Sequence, residues 1–279
     1  MALPWGMHEL IDIGVNLTHR SFARDRAAVV ARAQAAGVSV LLITGTSVAH
    51  SQQAAELARQ HRGELYATAG VHPHDASRCD TEALAELRQL AGLPQVVAVG
   101  ECGLDFNRNF SPPAVQERVL AAQVALAAEL GKPLFLHERD AHQALLAIVD
   151  RAAGPAGRLQ VPAVVHCFTG SGQALDNYLQ RGFFIGITGW ICDERRGREL
   201  QQLVKRIPLD RLMLETDAPF LMPRDLPRTD GRNEPAHLAH IAAAVARCME
   251  RPLAEVAAAT TANARRFFRL PPAAPPRNP

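Results

Sequence analysis

The sequence predicts an α/β chain folded as a TIM (β/α)8 barrel. Short β-branched or apolar runs alternate eight times with longer Ala/Leu/Arg-rich runs of helical period. The strand-type runs are close to continuously apolar, as expected where both faces of a parallel sheet are covered. The rival, a doubly wound open sheet, would place Gly-x-Gly-x-x-Gly after the first strand, and that motif is absent.

The elements follow in order. A first strand is expected at 9–17, with a helix over 23–36 that stops at Gly37. Strand 39–45 leads to helix 48–62 before Gly63, and strand 65–71 runs into His72-Pro73 before helix 81–91. Strand 96–104, helix 113–130 and Gly131 come next, then strand 133–138 and helix 140–153 before Gly154. Strand 162–167 with helix 172–181, strand 183–188 with helix 196–206, and strand 211–217 with helix 236–249 complete eight units. Residues 252–268 add one or two further helical turns. The Pro-rich stretch from Pro271 to Pro279 reads as a frayed tail, and the first eight residues as a leader. No linker divides the chain, so one domain over 1–279 is expected, its core at about 9–268.

Composition sets bounds on function. The 279 residues are 48% hydrophobic, enough for a large core, and 30 Lys+Arg against 28 Asp+Glu leave +2. A strongly basic coat for duplex nucleic acid is excluded; an anionic substrate would be held by a local cluster or a metal. Five scattered cysteines without a Cys-x-x-Cys pair indicate neither a disulfide framework nor a zinc knuckle. No apolar run approaches the ~18 residues of a membrane span, and a reducing cytoplasm is the expected compartment.

Catalytic groups of a barrel gather at the C-terminal ends of its strands. Here apolar strands stop at His72, Glu101, His137, His166 and Asp217. Two imidazoles and two carboxylates, from Glu101, His137, His166 and Asp217, make a divalent-metal ligand set whose ion could be Mg, Mn, Zn or Fe. Cys102 and Cys167 each follow a proposed ligand and should point the other way, into packing. Glu215 shares the face of Asp217 and is expected to hydrogen-bond a neighbour. His72 and His74, either side of Pro73, are candidate site residues. Arg139, Arg195, Arg196, Arg224, Arg228 and Arg232 lie in the same set of loops. They either meet phosphate or pair with Asp193, Glu194, Asp225, Asp230 and Glu234. Phe106, Phe110, Phe168, Trp190 and Phe220 could stack bases, and Thr169-Gly-Ser-Gly172 opens a helix that could cradle phosphate.

The stretches Asp12–Thr18, Leu42–Thr46, Gly70-Val-His-Pro-His-Asp75, Gly100-Glu-Cys-Gly-Leu-Asp-Phe-Asn107, His166-Cys-Phe-Thr-Gly170, Gly186–Trp190, Cys192–Arg196, Glu215-Thr-Asp-Ala-Pro219 and Asn233-Glu-Pro235 resemble the TatD-type metal-dependent deoxyribonucleases, the TatD branch in particular. The resemblance runs from about Asp12 to Phe268. It implies a metallo-dependent hydrolase of the cytoplasm that removes nucleotides from the 3′ end of single-stranded DNA, and RNA, with Mg2+ (Mn2+ or Zn2+ as substitutes) and a role in DNA repair. A monomer is expected. Residue by residue it implies metal ligation by Glu101, His137 and His166, with Asp217 a ligand or the base that orients water. His72, as a catalytic residue, together with His74, Arg139, Arg196 and Arg232, is expected to meet the substrate. Strand 1 ends Gly14-Val15-Asn16 where most relatives carry His-x-His, a difference shared with the TatD branch. One metal position therefore stays whole, and the other keeps only Glu101 and Asp217. The alternatives are an amidohydrolase-like or aminoacyl-ester hydrolase, or a metal-binding protein without turnover.

Overall fold

A computed structural model describes residues 8–154, 159–227 and 231–272. Most of the expected leader and tail lie outside these residues, as do Arg228 and Asp230. The eight expected strands are present: β1 (Leu10–Val15), β2 (Val38–Ile43), β3 (Leu65–Ala69), β4 (Val96–Asp105), β5 (Leu134–Arg139), β6 (Ala163–Val165), β7 (Phe184–Ile187) and β8 (Leu212–Leu214). Helices follow them: α1 (Arg26–Ala35), α2 (Val48–Gln60), α3 (Thr81–Ala91), α4 (Pro113–Leu130), α5 (His142–Arg151), α6 (Gly172–Gln180), α7 (Arg198–Leu203) and α8 (Leu238–Met249). The strands hydrogen-bond in sequence order from β1 to β8, so the connectivity is that of a (β/α)8 barrel.

The helices begin and end where local chemistry dictates. Ser47, Asp80 and Ser171 accept a hydrogen bond from the backbone N–H three residues on, at the starts of α2, α3 and α6. Pro113 opens α4, and Gly131, left-handed at φ 62°, closes it. One expectation needs correcting. The stretch after α8 is not one or two turns but a 16-residue helix, α9 (Leu253–Phe268). Its Val256, Ala257, Thr260, Ala264 and Phe267 are buried, so a helix period was present in a segment that the count of eight units left unused.

The described chain divides into two compact units. In the unit from Leu42 to Gly186, β3 to β7 pair in parallel, with Ala69 opposite Val99, Leu136 opposite Val165, and Val165 opposite Ile185. The β4–β5 register slips by one residue between Val99 and Cys102, a bulge that brackets Glu101. In the unit formed by 8–41 and 187–272, α9 packs on β1 and β8. Thr261 Oγ1 donates to Glu9 O at 2.8 Å, and Asn263 Nδ2 donates to Leu209 O and Leu212 O at 2.7 and 2.8 Å. These side chains give hydrogen-bond partners to carbonyls just before β1 and around the start of β8. Among the described residues no helix is long and apolar enough to cross a membrane.

Candidate metal centre

Two glycines let the backbone close around Glu101. At Gly100 (φ 139°) a Cβ would lie 2.2 Å from Phe135 O, and at Gly103 (φ 150°) it would lie 1.9 Å from His137 O. Only glycine fits either conformation and either gap, so β4 approaches β5 closely at the point where β5 delivers His137. The Gly100–Glu101 peptide is cis.

Glu101 is 5% exposed, and one of its oxygens gathers three imidazoles. Oε1 lies 2.8 Å from His166 Nε2, 3.1 Å from His137 Nδ1 and 3.3 Å from His72 Nε2. Burial alone would raise the Glu101 pKa. His166 and His72, with hydrogen bonds from His137 and His166, outweigh it and hold the carboxyl well below its ordinary range. Burial also opposes protonation of His137, but the carboxylates of Asp105 and Glu101 prevail and raise its pKa. His72 moves the other way: desolvation lowers its pKa and the nearby Glu101 only partly compensates.

The cluster fits a divalent ion. Among the described residues the group at Glu101 whose ligand atoms all lie within 4.8 Å of one another is His72, Glu101 and His137, so it holds His72 where His166 was expected, while His166 Nε2 meets Glu101 Oε1 at 2.8 Å. Among the described residues His137 Nε2 is buried without a hydrogen-bond partner, 3.8 Å from Asp105 Oδ2, which is a cost unless something else becomes its partner. His72 is different in kind. Its Nδ1 accepts from His74 N at 3.2 Å, which puts the ring proton on Nε2 and makes His72 a donor in this arrangement.

Asp105, four residues beyond Glu101, ends β4 and is a functional residue that the sequence reading misses. Its carboxylate is fully buried and faces His74 Nε2 at 2.7 Å. It also accepts from Asn107 N at 3.1 Å, Arg108 N at 2.9 Å and Arg108 Nη1 at 3.1 Å. Burial is outweighed by His137 and these donors, and the pKa is strongly lowered. The signal was available, since an acid ending the strand that carries Glu101 sits on the same β ladder. Asp105 aims His74, whose ring meets Phe110 edge-on at 4.6 Å, and Phe110 is 69% exposed. Arg139 Nη1 donates to Thr169 Oγ1 at 3.2 Å. Cys102 is fully buried with its Sγ toward Phe135 O, and burial raises its pKa, in keeping with packing.

Asp217 belongs to the other unit. Its N–H donates to Gly14 O at 2.8 Å and its Oδ1 accepts from Asn16 Nδ2 at 2.9 Å. Asn16 therefore fixes Asp217 as an acceptor. Asp12, buried on β1, is 2.5 Å from Thr216 Oγ1 through Oδ2 and accepts from Thr216 N and Gly14 N through Oδ1. Desolvation pushes its pKa up to about 8. Glu215 is fully buried. The arginines here take the ion-paired option. Arg196 Nε meets Asp193 Oδ2 at 2.9 Å with its guanidinium 4.4 Å over Trp190, and Arg224 Nε meets the same oxygen at 3.2 Å. Arg232 reaches Asp25 at 2.7 Å, Glu234 at 2.5 Å and Ser21 O at 2.8 Å. A phosphate would compete with two carboxylates for it.

The chain is 55% identical to a protein of Erwinia tasmaniensis named 3′-5′ ssDNA/RNA exonuclease TatD, over 94% of this chain and all of that one. It is 51% identical to the protein of the same name in Shigella flexneri, over 93% and 98%. Among solved structures, a TatD homologue from Escherichia coli superposes with a TM-score of 0.84 at 30% identity, covering 94% of this chain and 98% of that one. A TatD family hydrolase from Entamoeba histolytica gives 0.84 at 26%, covering 93% and 98%. The profile described as TatD related DNase matches residues 11–269, and the chain belongs to that family.

Proposed function

We propose that the protein is a metal-dependent 3′→5′ exonuclease of single-stranded DNA, and of RNA, acting in DNA repair in the cytoplasm as a monomer. The observation that supports this reading is the single Glu101 oxygen ringed by His72, His137 and His166, with His137 Nε2 left without a hydrogen-bond partner among the described residues. Glu101, His137 and His166 would hold the ion, Mg2+ with Mn2+ or Zn2+ as substitutes. When bound, it supplies Lewis acidity toward the scissile phosphate. His72, with its proton on Nε2, donates to a phosphate oxygen as charge builds there. His74, aimed by Asp105, and Arg139, beside Thr169, bind neighbouring phosphates. Asp217 accepts the proton of the attacking water, and Asn16 keeps one of its oxygens in the acceptor role. Exposed Phe110 offers a face to an unpaired terminal base, which a duplex would keep buried.

The test is a 5′-labelled single strand incubated with the protein and Mg2+, Mn2+, Zn2+ or chelator, beside Glu101→Ala. A ladder shortening from the 3′ end, abolished by chelator and by the substitution, is expected. No shortening with any ion, or an unchanged ladder from Glu101→Ala, overturns the reading.

A further inference from the structure

We propose that Cys192, Asp225 and His240 form a second metal site, for a thiophilic divalent ion of the zinc class. Cys192 Sγ, an Asp225 carboxylate oxygen and a His240 ring nitrogen all lie within 4.8 Å of one another, and none belongs to the Glu101 cluster. The donors come from three pieces of backbone. Cys192 ends the 3-10 turn Gly189–Cys192, Asp225 lies on the segment after Pro223, and His240 is in the first turn of α8. One sulfur, one nitrogen and one oxygen make a three-ligand set that zinc completes with water. A hard ion such as Mg2+ has no use for the thiol.

Two of the donors are held in place by their neighbours. Asp193, next to Cys192, accepts from Arg195 N and Arg196 N at 2.9 and 3.0 Å, and its Oδ2 meets Arg224 Nε, next to Asp225, at 3.2 Å. That clasp sets the spacing of Cys192 and Asp225 before any ion arrives, so little chain has to be ordered on binding. Asp225 Oδ1 already stands 2.8 Å from His240 Nε2, and an ion would take the place of that hydrogen bond. The site is half open: Cys192 is 5% exposed whereas Asp225 lies at the surface, which leaves an entry path and a place for water. Without metal, burial and then Asp225 push the Cys192 thiol up to about 12, so it is no nucleophile. Binding would release the thiol proton to solvent. The ion would tie the 222–227 segment to α8 and to the turn that precedes α7.

The full chain in a Glu101→Ala background is stripped with chelator and titrated with Co2+ and then Zn2+, and the thiolate band reports this site because the Glu101 cluster contains no thiol. The expected result is a near-ultraviolet thiolate-to-cobalt charge-transfer band that Zn2+ bleaches. It should be lost in Cys192→Ser, weakened at least tenfold in Co2+ affinity in His240→Gln, and retained in Cys248→Ser. His240→Gln changes a partly exposed side chain and keeps the test valid if Cys192→Ser fails to fold. No band, a band that survives Cys192→Ser, or unchanged affinity in His240→Gln overturns the proposal. Because Glu101 is already removed, exonuclease activity plays no part in the readout.

Discussion

Replacing Gly103 with Ala forces a methyl group into the gap between β4 and β5. Its Cβ would stand 1.9 Å from His137 O and 2.7 Å from His137 C, where ordinary contact begins at 3.4 Å. The His137 backbone therefore has to retreat by about 1.5 Å, or β4 has to open by the same amount. His137 Nδ1 is 3.1 Å from Glu101 Oε1, so a shift of that size takes it out of hydrogen-bond range. A misplacement of ~1 Å at a reacting centre costs on the order of 100-fold in rate. The left-handed φ and the overpacking together cost roughly 2–5 kcal/mol of stability. Gly131→Ala is the matched control: φ there is 62°, and a Cβ meets nothing within 4 Å among the described residues. It should lose ~1 kcal/mol from backbone strain and keep its rate. Single-turnover release of the 3′ nucleotide and urea unfolding measure the two quantities. If Gly103→Ala cleaves within roughly threefold of Gly131→Ala, the close approach of β4 and β5 does not position His137.

Three further outcomes follow from individual contacts. Asp12 has a folded pKa raised to about 8, so its contribution to stability is complete below the unfolded value near 3.8 and is lost as pH rises toward 8. Asp12→Asn should match the parent near the lower pH and exceed it progressively, by up to about 1.4 kcal/mol per pH unit; parallel stability–pH curves would exclude this. Asp105→Asn turns an amide toward His74 Nε2 and Arg108 Nη1, two donors. Because Arg108 is 55% exposed its share is small, and a loss of about 1–3 kcal/mol, read by thermal unfolding, is expected together with weaker oligonucleotide binding. Arg232→Ala should lower stability by about 2 kcal/mol, through the partners Asp25, Glu234 and Ser21, and leave KM for a single strand unchanged. A raised KM with intact stability would instead make Arg232 a phosphate contact.

The eight βα units could be read from the sequence because their signals are local. Apolar runs such as Phe184–Ile187, whose residues are all buried, and joints such as Gly131 reflect backbone and solvent preferences that act within a few residues. The full length of helix α9 is not legible from its sequence although its period is regular, because its partners β1 and β8 lie in other parts of the chain. Glu101, His137 and His166 stood out as polar residues ending apolar strands, and the fold does bring all three together. The roles of Asp105 and of Asn16 were harder to see, since each acts on a neighbour that only folding supplies, His74 and Asp217 respectively.

By itself the sequence determined the order of strands and helices, the residue types at the strand ends and, by resemblance, the family. Those properties depend on spacing, burial preference and side-chain chemistry, which travel with the chain. Tertiary structure decided which of several polar residues share one oxygen of Glu101, which ring nitrogen of His72 carries the proton, and that Arg196 and Arg232 face carboxylates. It also brought Cys192, Asp225 and His240 to one place from three separate segments. The physical reason is common to all of these. Hydrogen bonds and ion pairs act over about 3 Å, and contacts that short are set by packing between distant segments, not by neighbours along the chain.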